Sequence, residues 1–465
     1  MATSSMQFDF SLNPVGGKPR DGDESMRMLV LCDLGGARVL PLRQRKPLAL
    51  DIDSFEGLFK RLAATLVIEL DGLPIEMPLE SIDHFNPDHL YASLAPFEAL
   101  RRLRAEFENP TQFRRAAAAL GLTAAPQPVA APAAPDAAAA VSDIEWLLSP
   151  KPSAPPEMEH WLRGLVAPHI VPNVTHEQRA LLAAADAALG ALMRRVLHHP
   201  RLQALEASWR GIERLIRGLE LDASLQLFVL DVSHAEIEAD IAADPADLAA
   251  SALFQHLSQD DQHFGLLVLD QAFGPDADDV QQLATLGAIA ARAGTPLLAA
   301  ATPQAAADAL QTPHWAALRA SPVAAWIGLV WPRVLLRLPY GAATSSISSF
   351  EFEEMSTPRE HAAYLWGNGA LALAMLVGRA FAQDAWGMDL GRQLDLDELP
   401  GHIYTEDGET HQQPCAELLL SDSAGQAVLA RGIMPLMSWR NRDAVRLLRW
   451  QSLADPPCPL RGLVA

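Results

Sequence analysis

The chain reads as an α/β protein in two parts. A small α+β module (residues 1–123) is joined by an Ala/Pro-rich linker (124–157) to a larger α/β module (158–465) with a central sheet and crossover helices. Two observations carry this reading. Between residues 225 and 338, short apolar runs alternate with helical periodicity, as a parallel sheet with crossover helices requires. Over 124–141, fourteen of eighteen residues are Ala or Pro. Proline blocks a continuous helix and there is little to bury, so the stretch reads as a semi-extended linker, extended by a Pro-rich patch at 149–156. The apolar residues 144–148 between them are either a docking segment or an apolar piece of linker.

Composition bounds the rest. At 465 residues the length prior is about three domains. Hydrophobic residues make up 49% and charged residues 20%, enough for large cores. The formal net charge of −21 argues against wrapping nucleic acid or adsorbing to an anionic membrane. Cys32, Cys415 and Cys458 cannot make a disulfide framework, which fits a reducing compartment. The first fourteen residues lack the basic and apolar regions of a signal peptide, and the apolar run 371–377 is too short to span a bilayer. The expectation is a soluble, cytoplasmic-type protein.

The elements follow in order. Residues 7–12 (QFDFSL) alternate as a half-buried strand, and 28–32 (MLVLC) form a buried one. Asp53 opens a helix by accepting backbone N–H groups, with Phe55, Leu58, Phe59 and Leu62 on one face. A longer helix starts at Asn86-Pro87 and carries Leu90, Phe97, Leu100, Leu103 and Phe107. The second module opens with helices over 175–197 and 202–217. Strands at 225–232, 265–270, 296–301 and 326–338 are separated by helical stretches over 235–242, 253–257, 279–293 and 304–319. A long helix is expected over 359–385, a strand at 417–420, and a short tail beyond.

No constellation for catalysis emerges. There is no G-x-S-x-G elbow and no phosphate loop. Gly367-Asn368-Gly369 begins a G-x-G-x-x-A string but lies within a helical pattern, where a dinucleotide fingerprint does not belong. His198-His199 lacks the spacing of zinc ligands and reads as a helix C-terminus favoured by a cationic His. Asp270, at the end of a strand, is the first candidate for a ligand site. Asp276, Asp278 and Asp279 are either Mg²⁺ ligands or ordinary helix caps, and capping is the simpler chemistry.

Three strings in the second module carry a resemblance: LHHPRLQALEASWRG at 197–211, WPRVLLRLPYGAATSSISSFEFEE at 331–354 and YLWGN at 364–368. In this order they resemble the large subunit of the contractile sheath of bacterial type VI secretion systems, over residues 159–453. In the first module, QFDFSL, MLVLCDLGG, the segment 42–62 and the segment 79–120 resemble the small sheath subunit. The resemblance implies a non-enzymatic structural protein that fuses small-like and large-like sheath subunits. The alternative is an accessory or capping protein that binds sheath, tube or baseplate without polymerising. The family's large subunit continues past the point matching 451–452 into a β-rich domain and an exchange arm, whereas this chain stops at 465.

The implied partners are sheath subunits, inner-tube or baseplate proteins and a ClpV-type unfoldase. No nucleic acid, membrane insertion, small-molecule substrate or cofactor is implied. The interface candidates include Phe8, Phe10 and Leu12 on the first strand. Trp161, Leu162 and Leu165 lie in 158–171, the nearest equivalent of the family's unfoldase handle. Within the motifs they are Trp209, Arg210, Arg333, Arg337, Tyr340, Phe350, Phe352, Glu353, Glu354 and Trp366.

Overall fold

A computed structural model describes residues 24–109, 112–120, 177–244, 247–258, 263–355, 359–440 and 442–463. The expected strand at 7–12, the linker and the 158–171 helix, with Phe8, Phe10, Leu12, Trp161, Leu162 and Leu165, lie outside them. The chain divides into two units. One gathers the residues up to His84, His198–Pro339 and the residues from Glu360 onward; the other gathers Phe85–Leu197 and Tyr340–Arg359. Each unit therefore draws on chain from both sides of the Ala/Pro-rich stretch.

The first unit is built on strands β1 (Met26–Cys32), β2 (Leu48–Leu50), β3 (Thr65–Leu70), β4 (Leu73–Pro78), β5 (Leu225–Asp231), β6 (Leu266–Phe273), β7 (Leu297–Ala301), β8 (Ile327–Trp331), β9 (Val334–Leu335), β10 (Trp366–Gly367), β11 (Asp395–Leu396), β12 (His402–Glu406), β13 (Glu409–Gln413), β14 (Ile433–Ser438) and β15 (Val445–Leu447). Nine of them form one sheet in the order β11-β15-β14-β8-β7-β6-β1-β5-β2. The six strands from β14 to β5 in this order run parallel, and the edge strands are antiparallel to their neighbours. This is the α/β architecture the apolar alternation predicts.

β1, from before the Ala/Pro-rich stretch, occupies an interior position. It pairs with β5 from Met26↔Leu225 to Cys32↔Asp231, and with β6 from Met28↔Leu266 to Leu31↔Leu269. Its side chains alternate across the sheet, as a strand's must. Leu29 and Leu31 join the core formed with Leu283 and Leu286 of the Ala277–Ala293 helix. Met28 points the other way, beside Gly378 of the Gly369–Asp384 helix.

Several expected elements are redrawn. The helix expected over 359–385 is shortened to Gly369–Asp384, because Trp366 and Gly367 pair with Leu335 and Val334 and Asn368 caps the helix. The strand expected over 326–338 is interrupted at Pro332, which has no N–H for the ladder; β8 ends at Trp331 and β9 begins at Val334. The helix over 304–319 likewise splits at Pro313 into Pro303–Asp308 and Pro313–Ala320. Residues 417–420 form no strand, while the expected tail contains the Asp422–Ala430 helix, β14 and β15. Asp51, not Asp53, accepts the backbone N–H groups before the Phe55–Leu62 helix, from Asp53 at 3.1 Å and Ser54 at 2.8 Å.

The second unit is helical: Pro87–Ser93, Ala95–Glu108, Phe113–Ala119 and Glu177–Leu197, with the Tyr340–Arg359 segment. Asn86 caps the first helix as expected, accepting from the Asp88 amide at 2.9 Å. The single long helix expected from there breaks at Leu94, because Pro96 cannot donate to the carbonyl of Ala92. Arg101 takes that carbonyl at 3.0 Å instead. Phe97, Leu100, Leu103 and Phe107 are buried, and their helix packs on Glu177–Leu197. No described helix is long and apolar enough to cross a membrane.

Candidate assembly surface

In the first unit, the LE-x-x-WRG string lies on the Pro200–Gly218 helix. Glu206 is fully buried; its Oε1 accepts Arg210 Nε at 2.7 Å and Arg337 Nε at 2.9 Å. Two guanidiniums thus compensate one buried carboxylate, the condition under which such a charge is tolerable. Trp209, also fully buried, stacks on Phe59 with ring centroids 3.5 Å apart and meets Phe55 edge-on at 5.9 Å. Gly211 admits Leu371, whose Cδ1 would lie 2.4 Å from any added Cβ. Glu206, Trp209, Arg210 and Gly211 thus hold the fold together, and Trp209 has no surface left to offer a separate partner.

Arg333 makes a two-pronged pair with Glu417 at 2.6 and 2.9 Å, and about half of its side chain remains exposed. Trp366 is buried; it donates to the His361 carbonyl at 3.0 Å and stacks on that imidazole.

The first unit also carries an electrostatic joint that the sequence reading missed. Asp231, at the end of β5, accepts Leu34 N at 2.8 Å and both Nε and Nη2 of Arg38 at 3.1 Å. Burial works against the Arg38 charge, but Asp231 and Asp33 outweigh it and raise its pKa. Arg45 bonds the Asp231 carbonyl at 2.7 Å and pairs with Glu236. Partial burial opposes ionisation of Glu236, yet Arg45 and the Ser233 cap hold it below the ordinary range. The basic run 43–46 in an acidic chain was the available signal.

In the second unit, the FEFEE run belongs to the Tyr340–Arg359 segment. Tyr340 and Glu354 are buried and exchange two bonds: Tyr340 N to Glu354 Oε2 at 2.7 Å, and Glu354 N to Tyr340 O at 2.8 Å. Glu353 accepts Ala342 N at 2.9 Å, and its carbonyl accepts Arg194 at 2.9 Å. Phe350 packs between Tyr91, at 4.9 Å, and the buried Phe352, at 5.5 Å. Asp88 accepts the amides of Ser348 and Ser349 at 2.8–3.0 Å. Burial there opposes ionisation, but these serines outweigh it and lower the Asp88 pKa. The structure thus brings the motif residues together in two groups, one per unit.

The catalytic candidates find ordinary partners. Asp270 accepts Ser208 Oγ at 2.5 Å, and burial pushes its carboxyl above the ordinary range. Asp276 caps the Ala277–Ala293 helix through Asp279 N at 3.0 Å, and Asp279 accepts Gly274 N. No group of three or more ligating side chains is arranged for a metal among the described residues. His199 is an N-cap, not a cationic C-terminus: its Nδ1 accepts Arg201 N at 3.3 Å, and burial and Arg201 both lower its pKa. Gly367-Asn368-Gly369 does follow a strand and open a helix, against expectation. The strand is the two-residue β10, outside the main sheet, and Asn368 is the cap.

The family model described as VipB (EvpB/VC_A0108), tail sheath N-terminal domain, matches residues 179–454. The type VI secretion system sheath protein TssC1 of Pseudomonas aeruginosa is 30% identical over 307 residues. That alignment covers 60% of this chain and 61% of the relative, so the chain spans less than two thirds of the curated protein it matches. The family match begins after the Ala/Pro-rich stretch, leaving β1–β4 and the first three helices of the second unit before it.

Proposed function

Because the chain belongs to the tail sheath N-terminal domain family, we propose that it is a non-enzymatic structural component of a type VI contractile sheath. In this reading, residues up to 123 take the part of the small sheath subunit and are fused to the large-like segment. The observation that supports the fusion most is the position of β1. A seven-residue strand from before the linker, paired on both sides inside a parallel sheet, is a core element. Exposed, its neighbours β5 and β6 would present unpaired backbone edges. A covalent tether fixes such partners at one-to-one stoichiometry and an effective concentration of roughly millimolar.

The energy of this function is burial and backbone pairing, with no bond chemistry. Outward contacts would use side chains still accessible in the motifs, Arg333 first, with sheath subunits as the first partners and tube, baseplate and unfoldase contacts beyond. Electron microscopy of the purified chain, alone and mixed with sheath subunits, tests it. Helical tubes, or incorporation into them, are expected. Discrete particles that bind sheath ends without lengthening them would favour a capping role, and particles that ignore sheath subunits would end the sheath reading.

A further inference from the structure

We propose that a groove beside β14 in the first unit is the docking site for the chain's own 143–148 segment, Asp-Ile-Glu-Trp-Leu-Leu. The groove holds about 670 Å³. Leu419 and Trp439 line it with 45% and 43% of their surface exposed, and Leu418 next door is 42% exposed. Three large apolar side chains left in water at one place mark a surface that something covers.

The rim says what covers it. The side chains of Arg440 and Arg442, exposed on the same rim, have no ion-pair partner in the described fold, and the one acid on the rim is Asp422. An occupant with apolar anchors and two negative charges fits this rim.

The segment supplies that set. Ile144, Trp146, Leu147 and Leu148 are the only run of large apolar side chains between residues 124 and 157, and Asp143 and Glu145 match the two arginines in number and opposite sign. Leu120 is the last described residue before it. Residues 121–143 span up to ~80 Å when extended, so the tether does not limit which face the segment meets. Being covalently attached, it competes with free ligands at an effective concentration in the millimolar range.

Hydrogen exchange on the full-length protein tests this. In a W146A/L147A variant, peptides covering 418–420 and 437–442 should exchange about tenfold faster than in the parent, while the β1 peptide keeps its protection and certifies the fold. Equal exchange in the two proteins overturns the proposal. Reversing both charges in R440E/R442E should loosen the same peptides, and adding D143K/E145K should restore protection; failure to restore it also counts against the assignment. Finally, cysteines at 144 and 419 should cross-link within one chain in a mixture of isotopically light and heavy protein. Cross-links found only between chains would give the groove to a second copy instead.

Discussion

The two units take up the chain preceding the Ala/Pro-rich stretch by different physics. In the sheet unit, β1 is held by backbone ladders on both sides and by side chains buried on both faces. In the helical unit, the corresponding contacts are made by side chains: the apolar face of Ala95–Glu108 on Glu177–Leu197, Asp88 on two serine amides, and Arg104 on Asp186 at 2.6 Å with both partners partly exposed. Backbone pairing accepts many side chains but cannot lose a strand. A side-chain joint gives way in small steps, since an exposed pair of the Arg104–Asp186 kind contributes about 0–1 kcal/mol. The sheet unit is therefore where the chain before the Ala/Pro-rich stretch is indispensable, and the helical unit is where its attachment can be tuned.

The sharpest way to break this contrast is a charge in β1. Val30 is 1% exposed between β5 and β6. Val30→Asp buries a carboxylate without a partner and should cost more than about 4 kcal/mol, read as loss of soluble protein or of a cooperative denaturant transition. A folded, near-normal variant would mean that β1 is not a core strand. Next is Trp209→Ala, which removes the ring stacked on Phe59. Chemical denaturation should register a loss of about 3–5 kcal/mol, the range for deleting a large buried aromatic.

Arg337→Met should follow at about 3 kcal/mol, because it leaves the buried Glu206 to Arg210 alone. In a double-mutant cycle, adding Glu206→Met should recover part of that loss, since the orphaned charge goes with it. Purely additive losses would show that the three groups do not act together.

These residues also show how far the sequence can be read. The parallel strands, the helix faces and the Asn86 cap are local patterns of period and capping chemistry, and they stand where expected. Proline marked three breaks that a purely periodic reading ran through, at Pro96, Pro313 and Pro332. Asp88 and Asp231 could not be found that way, because each acts on residues about two hundred or more positions distant. Burial of individual motif side chains was not legible in the sequence: Trp209, Tyr340, Phe352, Glu354 and Trp366 are buried within this chain.

The smallest expected effect is in the helical unit. Asp88→Asn should cost ~1 kcal/mol or less at pH 7 once solvent screening of this partly exposed carboxyl is counted. Since the folded pKa lies below the unfolded value, the stabilisation is complete above about pH 4 and is lost as pH falls through the folded value. The difference between variant and parent should therefore vanish in acid, and a difference independent of pH would assign Asp88 a role other than its charge.

The most direct measurement is to place a protease site within 124–157, cut it, and pass the product through a sizing column under native conditions. If β1 and the helices before the linker are integral to the fold, the two fragments co-elute as one folded particle and separate only in denaturant. Fragments that part under native conditions, each retaining its own cooperative transition, would contradict that.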